Sequence, residues 1–184
     1  MSNSANQVVR PRIEQAAQGK ADRGGKFLTF FLAGEEYGIE ILKVHEIIGV
    51  LPITRVPRTP NFILGVINLR GKVIPIVDLR LKFGMEPKKI DEETCIIVVR
   101  VQGIQMGILV DKVSEVRNIA SADVEDAPSF GSDVDTEYIL GIGKSEGRVK
   151  LLLDIDKVLA TQEVVDLGDA AADAAHEEPL SGAA

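Results

Sequence analysis

The chain has no tryptophan, one cysteine and two histidines in 184 residues. Six Phe and two Tyr are its only aromatic residues. Its core must therefore be aliphatic, and Val and Ile fit a pleated strand surface better than a helix. A lone thiol, Cys95, excludes an internal disulfide and allows a reducing compartment. It lies in the apolar run 94–99 with no base or electropositive neighbour in view, so it reads as a buried core thiol and not a nucleophile. His45 and His176 form no His/Cys pair at zinc spacing, so no metal site is expected. Phosphate-loop, dinucleotide-loop and nucleophile-elbow patterns are missing. The segment Gly141-Ile142-Gly143-Lys144-Ser145 lacks the upstream glycine of a phosphate loop and reads as a hairpin turn. Positive charge is also short: 21 Lys and Arg stand against 28 Asp and Glu, a net charge of -7. Nucleic-acid binding needs a basic face and stacking rings, and both are scarce. No stretch approaches the roughly 20 apolar residues that cross a bilayer. The first 25 residues lack an apolar signal core, so the expected location is the cytoplasm without membrane insertion.

What is present is strand signal. With 45% hydrophobic residues the chain can build one domain or two small subdomains sharing an interface. Residues 1–25 are polar and read as a flexible N-terminal extension, with one or two helical turns near Ile13 as the alternative. Residues 164–184, rich in Ala, Gly and acid, read as a disordered acidic tail, which leaves 26–163 as the folded unit. Within it, short apolar runs at 27–32, 37–41, 65–69, 73–77, 96–101, 106–110 and 149–153 are bounded by glycine turns, the spacing of small barrels. Arg70-Gly71-Lys72 reads as a hairpin tip. Pro75 cannot donate to a ladder and is expected on an edge or bulge. Two helices are expected: a short one at 60–64, and a C-terminal one from Asp154 or Asp156 to Val165 with an Asp cap.

An internal repeat organises these runs. Gly34, Gly38, Ile39, Lys43, Val44 and Glu46 recur 69 residues later as Gly103, Gly107, Ile108, Lys112, Val113 and Glu115. Gly71, Val73 and Asp78 recur 76 residues later as Gly147, Val149 and Asp154. Two copies of one β unit follow, about 26–85 and 94–160. In the shared Lys-Val-x-Glu element the valines should face an apolar surface and the charges water.

No catalytic set emerges. Asp78 and Asp154 are equivalent in the repeat, and capping or turn roles explain that symmetry more simply than acid-base work. Surface recognition remains. Arg70, at the tip between two apolar strands, is either a solvated turn arginine or a contact anchor, since Arg is enriched at binding hot spots. Composition does not choose between the two.

Three segments then carry a resemblance: residues 36–44, Gly65-Val66-Ile67-Asn68-Leu69-Arg70-Gly71, and Pro75-Ile76-Val77-Asp78-Leu79-Arg80. Residues 107–111, 113–116 and 136–141 fit as well. In this order they are similar to the CheW-like chemotaxis coupling proteins over about residues 26–160. The resemblance implies two tandem five-stranded SH3-like β-barrel subdomains and neither catalysis nor cofactor. It implies an adaptor between the cytoplasmic tip of a methyl-accepting chemoreceptor and the regulatory domain of the chemotaxis histidine kinase, recruited to receptor arrays, with other adaptor copies as further neighbours. CheW-like adaptors also serve twitching and gliding pathways, which is the alternative circuit. Carried over by position, the receptor groove corresponds to Val44, Glu46, Gly65, Arg70 and Val113. Phe130, in Pro128-Ser129-Phe130, corresponds to a loop that meets kinase or adaptor neighbours, with a core Phe as the alternative. Glu125 stands where relatives can carry a basic residue.

Overall fold

The computed structural model describes residues 22–129 and 136–160. The first half of the chain gives β1 (Gly25–Leu32), β2 (Glu35–Glu40), β3 (Val44–Gly49), β4 (Ile63–Leu69), β5 (Lys72–Asp78) and a one-turn helix α1 (Leu79–Lys82). The second gives β6 (Cys95–Val101), β7 (Ile104–Val110), β8 (Lys112–Ile119), the two-residue β9 (Val124–Glu125), β10 (Ile139–Ser145), β11 (Arg148–Leu153) and α2 (Ile155–Val158). All seven apolar runs form strands, except that Ile41, the last residue of the 37–41 run, begins a 3-10 turn. The short helix expected at 60–64 is not formed: a turn leads straight into β4 at Ile63, whose β-branched side chain is 5% exposed in the core. α2 begins after Asp154 as expected but is a single turn that ends at Val158, with Leu159 as its C-cap; the rest of the expected helix, from 161 to Val165, lies outside the described residues.

The duplication sets the turn chemistry. Four two-residue hairpin loops, Ala33-Gly34, Arg70-Gly71, Gln102-Gly103 and Glu146-Gly147, have positive φ at both positions, the type I′ signature whose twist matches that of paired strands. The segment 141–145 is therefore part of strand β10, and the turn comes one residue later.

The strands form two sheets, in the orders β8-β1-β2-β11-β10-β9 and β3-β6-β7-β5-β4. Each half of the chain lends its first hairpin to the other half's sheet: β1-β2 sits between β8 and β11, and β6-β7 sits between β3 and β5. Each loaned hairpin is joined by an antiparallel ladder on one side, β1 to β8 and β6 to β3, and by a parallel ladder on the other, with Leu152 opposite Gly38 and Ile76 opposite Gly107. The parallel ladders explain the repeated glycines. A Cβ on Gly38 would lie 2.9 Å from a Leu152 methyl, and one on Gly107 2.4 Å from an Ile76 methyl. Pro75 lies in an interior strand, not at an edge. It is tolerated because the ladder from β5 to β7 begins only at Ile76, leaving the proline unpaired on that side.

Each sheet wraps an apolar cluster: Ile67, Leu69, Ile74, Ile76, Ile96, Val98 and Leu109 in one, Phe27, Ile119, Val124 and Leu152 in the other. The result is two barrel-like β subdomains. A third cluster fills the seam between them, with Phe30, Leu32 and Ile39 from the first half meeting Ile97, Ile108 and Leu153 from the second. Phe30, Tyr37, Phe83 and Tyr138 stack in a row there at centroid spacings of 6.0, 6.1 and 5.4 Å.

Candidate adaptor surface

Arg70 is held by its turn before it meets anything else. The Asn68 side-chain oxygen accepts the Gly71 N–H at 2.8 Å, and Arg70 takes φ 50° at the tip of the hairpin between β4 and β5. Its guanidinium then pairs with the Glu46 carboxylate on β3. Strands β3 and β4 are the two edges of their sheet, so this ion pair ties one edge strand to the turn at the end of the other. The Arg70 side chain is 68% exposed and that of Glu46 24%. An exposed pair contributes about 0–1 kcal/mol. Its effect is orientation: a cationic fork fixed in direction while open to solvent.

Val44 and Val113 occupy equivalent positions, opposite Val99 and Phe30 in their sheets. Both are half-buried and pack on the seam cluster, as expected for the repeated valines. The charges beside them, Glu46 and Glu115, reach solvent and ion pairs. Gly65 is different. It is buried at the bulge of β4 with φ +138°, and a Cβ there would lie 2.0 Å from the Thr54 carbonyl oxygen, because residue 54 bridges to Val66. Its counterpart Gly141 is crowded the same way, with Glu125 O at 2.8 Å. Gly65 thus touches the Thr54 backbone, whereas Glu46 and Arg70 touch each other and the two valines share a core. Phe130 lies outside the described residues. Glu125 pairs with Lys144.

The carboxylates Asp78 and Asp154 are both helix caps. Asp78 accepts from the N–H of Arg80 at 2.9 Å and of Leu81 at 3.3 Å, and Asp154 accepts from Lys157 at 3.3 Å. Burial raises the Asp78 carboxyl above its ordinary range, and those N–H groups oppose the rise. Beside it, Asp111 is pushed up by burial, but the forked bond from Arg80 (2.7 and 2.8 Å) and the Ala33 N–H outweigh this and hold it low. Cys95 is half-buried at the start of β6, not fully enclosed, with its Sγ 3.2 Å from the Glu93 carbonyl. Among the described residues no group of His, Cys, Asp and Glu is placed to hold a metal ion, and no helix is long and apolar enough to cross a membrane.

Two arrangements escaped the sequence reading. At the second hairpin tip, Glu146 stands in the place of Arg70 and binds Arg117, which also binds Glu115, the counterpart of Glu46. The tip-to-edge tie is thus present in both subdomains with the sign of its tip charge reversed. The repeat offsets of 69 and 76 contain that correspondence, but Arg117 between the two acids follows from no offset. The second is a buried ion pair, Lys150 to Glu36 at 2.7 Å, with side chains 5% and 8% exposed.

A family model for the CheW-like domain matches residues 26–163. The chain is 45% identical over 141 residues to "Chemotaxis protein CheW" of Klebsiella aerogenes, covering 77% of this chain and 85% of that protein. It is 36% identical over 162 residues to the protein of the same name from Helicobacter pylori, covering 86% and 98%. The crystal structure of scaffolding protein TtCheW from Thermoanaerobacter tengcongensis superposes with a TM-score of 0.69 at 35% identity, covering 76% of this chain and 95% of that one. Paired β subdomains with these relatives define a class, the chemotaxis scaffold proteins. This chain belongs to its CheW-like family.

Proposed function

We propose that this chain is a non-catalytic adaptor that couples the cytoplasmic tip of a methyl-accepting chemoreceptor to the regulatory domain of the chemotaxis histidine kinase. It works in the cytoplasm, on membrane-associated receptor arrays. The observation that carries the receptor half is the Arg70 fork, fixed by its turn and by Glu46 yet open to solvent. A helical tip needs half-buried apolar contacts and a few fixed charges to set its register. Val44 and Val113 supply the first, and Arg70 with Glu46 the second. Gly65 serves by letting the segment around Thr54 lie against β4. The kinase half rests on membership of the CheW-like family, with the segment Pro128-Ser129-Phe130 as the contact.

Titration with a receptor fragment tests the anchor. Arg70→Ala is expected to weaken binding by roughly 1–3 kcal/mol while the unfolding midpoint stays in place, since the lost ion pair is exposed. Unchanged receptor affinity would remove Arg70 from the site.

A further inference from the structure

At the start of β3 the surface dips into a shallow depression of about 270 Å³, lined by Leu42, Lys43, Val44, His45 and Arg100. Its chemistry is mixed. Leu42 is 94% exposed, the most open large apolar side chain among the described residues. Arg100 and His45 are exposed and have no ion-pair partner among the described residues. The third cation, Lys43, is held by Asp156 of α2 at 2.5 Å. The chain that leaves α2 therefore departs beside the depression. It continues as Glu163-Val164-Val165-Asp166-Leu167-Gly168-Asp169, and residues 161–184 hold six Asp and Glu with no Lys or Arg. Aliphatic and acidic residues mixed within one short stretch match a depression that mixes aliphatic and cationic ones. Reach is no obstacle: α2 ends at Val158, and from Ala160 onward an extended chain can span about 10 Å to Glu163 and about 23 Å to Leu167.

We propose that this depression docks the chain's own acidic segment 161–169, with Arg100 and His45 meeting its carboxylates and Leu42 meeting Val164, Val165 or Leu167. This docking stands apart from the receptor reading. Because Val44 belongs to both surfaces, a docked segment would compete with whatever else binds there.

The test uses the full chain with Cys95→Ser and Ala170→Cys, a nitroxide on the new thiol, and amide NMR. At about 20 mM salt the signals of Leu42, His45 and Arg100 are expected to lose at least about half their intensity, and to regain it at about 0.5 M salt, where charges are screened beyond a few ångströms. Arg100→Glu in the same chain is expected to restore intensity at low salt. Full intensity at residues 42, 45 and 100 at low salt would overturn the proposal, as would broadening centred instead on Arg55 and Arg58. So would broadening that Arg100→Glu leaves unchanged. Broadening seen only when labelled and unlabelled chains are mixed would make it a contact between copies and overturn it as stated. No receptor is present, so failure here leaves the receptor reading untouched.

Discussion

Replacing Lys150 with Ala is expected to cost about 3 kcal/mol of folding stability, because it strands the largely buried Glu36 carboxylate without a partner. Glu36→Ala should cost a similar amount by stranding the ammonium. The repeat supplies the control. Glu36 corresponds to Gln105 at the offset of 69, and Lys150 corresponds to Ile74 at the offset of 76. The other subdomain thus fills the same two places without a charge, and Ile74 there is 1% exposed. The double variant Glu36→Gln with Lys150→Ile should recover most of the loss, since a buried ion pair replaced by a packed neutral pair is often neutral or stabilising. Denaturant unfolding of the two single variants and the double one settles it. A double variant as unstable as the worse single one would mean that the pair does more than neutralise itself.

Gly65→Ala is expected to cost roughly 3 kcal/mol or more, combining a left-handed backbone with a Cβ driven into the Thr54 carbonyl. The loss should be visible without any receptor, as a lowered unfolding midpoint. Loss of receptor binding in this variant would then follow from displacement of the segment around Thr54, and not from a missing contact. Gly141→Ala, at the equivalent bulge of β10, should destabilise as well, though less. Its φ is not in the left-handed region, and its nearest backbone obstacle, the Glu125 carbonyl oxygen, stands at 2.8 Å against 2.0 Å for Thr54 at Gly65, with a Val124 methyl at 2.6 Å that can yield. If Gly65→Ala folds with wild-type stability and still fails to bind receptor, the residue belongs to the contact surface after all.

Local pattern made the strands legible. Alternation of apolar residues and glycines at turns are short-range signals, and the Arg70-Gly71 tip could be read from them, whereas the last turn was expected on 141–145 and falls at Glu146-Gly147. Asp78 and Asp154 were legible as caps because equivalent places in a duplicated unit favour a structural role. The expected helix at 60–64 failed because propensity competes with register there: Ile63 pairs with Val77, and the ladder decides. The partners of charged side chains were not legible. Glu36 and Lys150 lie 114 residues apart and meet only because β2 and β11 run side by side. Arg70 was singled out from the sequence, but its tie to Glu46 depends on the sheet curling until its two edges approach.

The reciprocal loan of hairpins makes the chain, topologically, a swapped dimer held on a single tether. Neither half contains a sheet it can finish: the first lacks the pair that must lie between β3 and β5, and the second lacks the pair that must lie between β8 and β11. The stretch from Phe83 to Thr94 keeps the exchange within one molecule, and it is ordered by its own Lys88–Asp91 pair and by the Asp91 carboxylate accepting from Glu93 and Thr94. Its length sets the local concentration of each half around the other. Shortened until the halves cannot reach, the same contacts would be satisfied between two chains instead of within one.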